Sequence, residues 1–228
     1  MIIKEFLICS VMRLRNSDDM RGTGLNEMKE KAEDKIYFWN KEKIDKYGTA
    51  MAVVIHEIQK IDNDYCHKTK SHFIRFIEQR LKTEESIAQK VERKHKQGGD
   101  WQLEEHISDL AGVRVICFDI DQIYLLAKQL GKSDRFKILK EKDYVRKPKD
   151  NGYQSYHMII GIDGIKVELQ IRTILMDAWS SLDSILVYKK NTPISNDMKR
   201  DIHKIAKWSR KMDKMVAGMI EHKNTHIR

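Results

Sequence analysis

The sequence predicts an α+β fold, a mixed β-sheet flanked by helices, and three observations predict it. Helical periodicity fills the first third, short runs of β-formers gather between residues 113 and 171, and helical periodicity then returns. Helices, then strands with interspersed helices, then helices pack as one sheet with helices against it. A chain of 228 residues with 41% hydrophobic content can bury one such core, but is short for two independent enzymatic domains.

Residues 26–66 are charged and periodic. Ile36, Trp39 and Ile44, then Met51, Val54, Ile55 and Ile58, recur at helical spacing, which reads as two helices broken near Tyr47, Gly48 and Thr49. Residues 73–81 carry Phe73, Ile74, Phe76, Ile77 and Leu81 among basic residues, and suit either a strand or a continued helix. Ser86 precedes a helical stretch to about Lys96, ended by Gly98 and Gly99. A short helix with Trp101 and Ile107 follows. The run 113–118 is rich in β-formers and reads as a buried strand.

Asp119 and Asp121 open a helix through Leu130 that Gly131 closes. Residues 136–139, 153–162 and 166–171 read as three further strands, with Asp163 and Gly164 turning a hairpin between the last two. From Thr173 to Tyr188 the pattern is helical again, and after Pro193 a last helix runs to about His222. It carries Ile202, Ile205, Trp208, Met212, Met215 and Met219 at steps of three and four. The ordinary reading of that stripe is a core-facing side; a subunit interface is the alternative.

Lys and Arg outnumber Asp and Glu by 43 to 34, a net charge of +9, which suits an anionic partner such as nucleic acid, anionic lipid or a nucleotide polyphosphate. A solvated basic surface accounts for the charge equally well. Cys9, Cys66 and Cys117 are odd in number and widely spaced, which suggests neither a disulfide framework nor a zinc knuckle and suits a reducing compartment. Residues 2–11 are apolar in flavour, but Lys4, Glu5, Arg13 and Arg15 leave them well short of the ~20 apolar residues of a membrane span. With no small-residue cleavage site after them, neither a secretion signal nor a membrane partner is expected.

Three segments carry chemistry. Residues 143–157 (DYVRKPKDNGYQSYH) pack Lys147, Lys149, Asn151, Gly152, Tyr153, Ser155 and His157 into a turn and the start of a strand. Ammonium groups beside a glycine turn can cradle phosphate, and Tyr153 offers a face on which a base can stack. Residues 167–173 (VELQIRT) place Glu168 and Gln170 on one strand face, with Arg172 just beyond and Val167, Leu169 and Ile171 opposite. Glu168 there suits a divalent-ion ligand or a base. Residues 106–117 (HISDLAGVRVIC) bring Asp109 before a glycine turn and set Arg114 in an apolar strand, where an arginine calls for an anionic partner.

With Arg80, Lys82, Ser86, Ile87, Lys90 and Arg93 ahead of them, these blocks resemble the synthetase domain of the RelA/SpoT family over about residues 70–190. The order is a basic segment from Arg80 to Arg93, ISDLAGVRV (107–115), KDYVRKPKDNGYQSYH (142–157), VELQIRT (167–173) and a helix ending near VYK (187–189). The resemblance implies a nucleotidyltransferase-like synthetase sheet at 70–190, an N-terminal helical extension at 1–69, and a C-terminal helix at 191–228 available for oligomer contact. It leaves no room for the family's hydrolase domain or long regulatory region, so the chain looks like a small, single-domain member, and the small members assemble as homotetramers.

The implied reaction moves the β,γ-pyrophosphate of ATP to the 3′-hydroxyl of GDP or GTP, in the cytoplasm and with magnesium. Arg80, Lys82, Lys90, Arg93, Arg114 and Lys142 then correspond to ATP contacts. Tyr153 corresponds to the tyrosine that stacks on guanine, with Lys149, Asn151, His157, Gln170 and Asp177 as further acceptor contacts. Asp109 and Glu168 correspond to catalytic carboxylates and magnesium ligands. The stretch from Lys140 to Asp143 resembles the family's basic motif, with Lys140 where arginine is usual. Asp183 and Ser184 stand where relatives commonly have Glu-His, and Ala178 where an aromatic is common. That altered neighbourhood leaves open a toxic relative acting on the tRNA 3′ end or an adenine nucleotide, and, as a third reading, a silent nucleotide- or RNA-binding module.

Overall fold

In a computed structural model of the chain the described residues are 38–95, 107–188 and 195–225, and they belong to one compact unit. Cys9, Ile36, Gly98, Gly99 and Trp101 lie outside them, as do the side chains of residues 93–95, 187–188 and 223–225.

Strands β1 (Ile74–Leu81), β2 (Ala111–Cys117), β3 (Lys137–Asp143), β4 (Tyr156–Ile162) and β5 (Ile165–Thr173) form one sheet in the order β1-β2-β5-β4-β3. Only the β2–β5 pair is parallel, so the sheet is mixed. One face carries Val113, Val115, Met158, Ile160, Val167, Leu169 and Ile171, all essentially inaccessible. Helices α1 (Lys41–Thr69) and α3 (Ile120–Leu130) lie against the central strands and cover this face. Each fully buried aliphatic side chain contributes about 1.5–3 kcal/mol. A one-residue slip of β5 would exchange Val167, Leu169 and Ile171 for Glu168, Gln170 and Arg172, so burial on one face fixes the register that the other face uses.

Residues 73–81 resolve as strand β1. Helix α1 runs unbroken through Gly48, against the expected interruption there. A glycine inside a helix costs about 1 kcal/mol, and burial of Tyr47, Ala50 and Met51 on either side outweighs it. Asn40 caps the start by accepting from the Lys43 amide at 2.8 Å. Helix α2 (Glu84–His95) begins two residues before the expected Ser86, because Thr83 is the cap: its hydroxyl accepts from the Ser86 amide at 3.3 Å. In α3 the predicted Asp119 start is a reciprocal capping box with Gln122, and Gly131 closes the helix.

β3 extends past residue 139 to Asp143, whereas β4 starts only at Tyr156, leaving 153–155 in the preceding loop. Asp163 (φ 47°) and Gly164 (φ 81°) both occupy the left-handed region, as a two-residue hairpin turn requires. Thr173 ends β5 and caps α4 (Ile174–Asp183), which widens into a π-helical turn at Ser184–Tyr188.

The last helix, α5 (Asn196–Thr225), corrects the reading of its apolar stripe. Ile202 is buried against Trp179, whose indole N–H donates to the Ile202 carbonyl at 2.9 Å. Beyond it the inward side is Ala206, Ser209 and Asp213, while Trp208, Met212, Met215 and Met219 are 47–70% exposed. Small and polar residues set the close approach of α5 to the core, and the bulky apolar stripe faces outward.

Candidate active site

The sheet face opposite the core is built from two rows of paired residues, since directly paired residues share a face. One row runs Glu78, Arg114, Gln170, His157 and Lys142; the other runs Arg80, Gly112, Glu168, Ile159 and Lys140. Every strand thus contributes a charged or polar group to one surface.

Asp109 stands just ahead of β2 between the buried Ile107 and Leu110. Its carboxylate accepts from Lys82 Nζ at 3.0 Å and from Lys90 Nζ, on α2, at 2.6 Å. Lys82 is itself held on both sides: its amide donates to the Leu110 carbonyl at 2.8 Å, and its carbonyl accepts from the Trp39 indole at 2.7 Å. Burial pushes the Asp109 carboxyl up, but the hydrogen bonds and charges of Lys90 and Lys82 outweigh it and hold the pKa below the usual carboxylate value. Asp109 and Glu168 line one cavity together with Arg80, Gly112, Arg114 and Gln170. They are near enough that the charge on Asp109 opposes ionisation of Glu168.

Glu168 is one member of a closed hydrogen-bonded ring with His157, Tyr153, Arg172 and Gln170. Its Oε1 lies 3.2 Å from His157 Nδ1, and its Oε2 accepts from Gln170 Nε2 at 2.9 Å. His157 Nε2 lies 2.8 Å from the Tyr153 hydroxyl. Arg172 donates from Nη2 to both the Tyr153 oxygen and Gln170 Oε1, each at 2.8 Å. Burial raises the Glu168 pKa, yet His157 and Gln170 bring it below the usual value, so the group is a carboxylate at neutral pH.

Tyr153, Tyr144 and His157 pack edge to face with centroids 5.3–6.0 Å apart. Lys149 Nζ lies 4.7 Å from the Tyr153 centroid and 4.9 Å from that of Tyr144, and Lys142 Nζ lies 5.9 Å from Tyr144. Asn151 Oδ1 accepts from the Tyr153 amide at 3.2 Å, and Asn151 borders a second groove of about 620 Å³ with Lys199, His203 and Lys207 on α5. Between them Gly152 has φ 93°, and a Cβ there would fall 2.5 Å from that of Ala206. Only glycine lets this turn close onto α5.

The structure therefore brings Arg80, Lys82, Lys90, Asp109 and Arg114 together, and beside them Glu168, Gln170, His157 and Tyr153. Lys142 stands on the edge strand farthest from Arg80, with Tyr144 and His157. The Arg93 side chain lies outside the described residues. Arg114 has the anionic partners its setting called for, Glu78 at 2.9 Å and Asp177 at 3.5 Å. Burial and the neighbouring Arg172 lower its pKa, and those two carboxylates oppose the shift. Asp177, on the first turn of α4, also accepts from Arg172 Nη1 at 3.0 Å. Sequence reasoning left out Glu78 and Tyr144, and named Arg172 without giving it a role. For Arg172 the signal was present, because a charged side chain in an apolar strand was the argument that singled out Arg114.

This sheet, with paired carboxylates and a collar of cations on one face, defines a class: the chain belongs to the family described as Region found in RelA / SpoT proteins, whose pattern matches residues 79–193. Among its relatives, GTP pyrophosphokinase YwaC from Bacillus subtilis is 32% identical over 209 residues, covering 88% of this chain and 97% of that protein. GTP pyrophosphokinase YjbM from the same organism is 28% identical over 148 residues, covering 61% and 69%. The crystal structure of small alarmone synthetase 2 from Bacillus subtilis superposes with a TM-score of 0.68 at 32% identity, covering 77% of this chain and 96% of that one. The expected α+β architecture is thus shared with that synthetase.

Proposed function

We propose that the chain is a GTP pyrophosphokinase, transferring the β,γ-pyrophosphate of ATP to the 3′-hydroxyl of GDP or GTP to make (p)ppGpp. The observation that carries the reading is that Asp109 and Glu168 line one cavity with Arg80 and Arg114, while Lys82 and Lys90 pair with Asp109. The relatives YwaC and YjbM, by name GTP pyrophosphokinases, support it.

ATP lies against Arg80, Lys82, Lys90, Arg93 and Arg114, where ammonium and guanidinium groups offset the charge of three phosphates. The acceptor stacks its base on Tyr153, with Lys149, Asn151, His157 and Gln170 around it; Lys142, expected among the ATP contacts, stands beside Tyr144 and His157, which supports a place for it on this side. Asp177, engaged by Arg172 and Arg114, serves to hold those two groups. The donor chemistry fits a magnesium ion: two carboxylates on one cavity are the hard oxygen ligands it takes, with water and substrate phosphates completing the shell. When bound, the ion supplies Lewis-acid charge to the transferring oxygens.

The 3′-oxygen attacks the β-phosphorus, the bond from that phosphorus to the oxygen bridging the α-phosphate breaks, and AMP leaves. The hydroxyl proton passes to Glu168, which is ionised and so can take it. Alignment of the two nucleotides supplies much of the rate. The reading also makes the chain a cytoplasmic homo-oligomer, a tetramer, in which the outward stripe of α5 is a subunit contact. No helix among the described residues is long and apolar enough to cross a membrane.

Incubation with ATP, magnesium and labelled GDP or GTP tests the reaction. The expected product is the 3′-pyrophosphorylated guanosine nucleotide. Glu168→Gln is expected to lower turnover by about 10²–10⁴-fold while nucleotides still bind. Label on tRNA or on an adenine nucleotide instead, or no transfer to any acceptor, would overturn the reading.

A further inference from the structure

We infer that Arg172 is a positioning residue for this reaction, holding the acceptor platform Tyr153 and the Glu168–Gln170 pair in one fixed arrangement. The inference rests on the proposed transfer, and its basis is the direction of the hydrogen bonds around Glu168.

A guanidinium is always charged and only donates. Because Arg172 donates to Gln170 Oε1, the Gln170 amide cannot flip, and its nitrogen must face Glu168 Oε2, as it does at 2.9 Å. Arg172 also donates to the Tyr153 oxygen, which lies 2.8 Å from His157 Nε2. A carboxylate only accepts, so His157 Nδ1 is the donor to Glu168 Oε1. Both branches start at one fixed charge and end on the same carboxylate, each oxygen of which receives one donor and keeps a lone pair for the acceptor hydroxyl. The carboxylate is thereby oriented without being used up.

Packing alone does not account for a guanidinium here. Arg172 is 3% exposed, and its Nε is buried with no partner. An aliphatic side chain would fill the same space without burying a charge or an orphan donor. Its remaining nitrogen, Nη1, is held by Asp177 at 3.0 Å, which fixes the plane of the fork. The guanidinium carbon lies 5.2 Å from the Tyr153 centroid, so the same group sets both the hydroxyl and the ring on which the base is proposed to stack. Lysine keeps the charge but cannot reach three acceptors in one plane.

The test is steady-state kinetics of wild type and Arg172→Lys with ATP and acceptor varied separately, beside thermal melting. The expected result is a folded variant with ATP KM within about twofold, kcat lowered on the order of 100-fold and acceptor KM raised about tenfold, as for a misaligned acceptor. A folded variant with kcat and acceptor KM both within twofold of wild type would overturn the inference, and so would equal loss of both nucleotides. If Arg172→Lys does not fold, Tyr153→Phe carries the test, because it opens the ring at the bond from Arg172 and keeps the stacking surface. A fall in kcat of about tenfold is then expected, and unchanged kcat overturns the inference. Were wild type to transfer nothing, the functional reading would have failed separately. Calorimetric titration with GDP and with ATP would still report on Arg172: GDP binding about tenfold weaker in the lysine variant with ATP binding unchanged supports its role, and equal GDP affinities refute it.

Discussion

Asp109 receives two ammonium groups, and that balance makes it a sensitive position. Replacing it with asparagine keeps the shape but leaves Lys82 and Lys90 facing each other without a counter-charge. Asp109→Asn is therefore expected to raise the magnesium concentration for half-maximal activity by about tenfold or more, read from activity against added metal. Gly152→Ala meets a backbone obstacle, since φ 93° disfavours any side chain and the new carbon would strike Ala206. A loss of about 2–3 kcal/mol, or a displaced turn with weaker acceptor binding, is expected, and chemical denaturation with GDP titration distinguishes the two. Asp109, Tyr153 and Glu168 stood out in the sequence by their local setting, a carboxylate before a glycine turn, a tyrosine after a Lys-rich turn and a Glu-x-Gln on a strand, but the roles expected of them came from the family resemblance. The engagement of Asp177 was not legible, because its partners come from β2 and β5 and only the folded sheet brings both arginines to one carboxylate.

The elements repeat that division. The strand alternation and the Asp163–Gly164 turn were readable because a two-residue period and a left-handed turn are local facts. The break expected at Gly48 was wrong because a local propensity of about 1 kcal/mol was set against burial that only the sheet could reveal. A Cβ at Gly48 would meet no atom within 4 Å. Gly48→Ala should therefore stabilise the protein by about 0.5–1 kcal/mol, measured as a higher urea midpoint at constant slope. The inward side of α5 was likewise hidden, since periodicity marks an apolar stripe without saying where it points. Asp213 lies on that inward side, its pKa pushed up to about 6 by burial and by the charge on Asp119, against a hydrogen bond with Thr173. A carboxyl whose pKa rises on folding binds its proton more tightly in the folded state. That stability is present at low pH and is lost as pH climbs from the ordinary carboxylate range through about 6, amounting to roughly 2–3 kcal/mol. Asp213→Asn removes the charge and keeps the shape. Its melting temperature should exceed that of wild type at pH 8 and converge with it near pH 4.

Among the described residues, one sheet face carries the paired charged groups of the candidate site, and the last helix carries a continuous row of exposed apolar side chains. The row Trp208, Met212, Met215 and Met219 is long enough to seat a neighbouring helix. Met215→Glu is expected to lower the solution mass by light scattering, and an unchanged mass would show that the stripe is not the subunit contact. Gly152 ties this surface to chemistry, because the turn ahead of Tyr153 rests on Ala206 of the same helix. A neighbour that steadies α5 would also steady the seat of the guanine ring. Each chain would then work more slowly when the protein is scarce than when it is abundant, and a cell doubling its supply of this protein would obtain more than double the output.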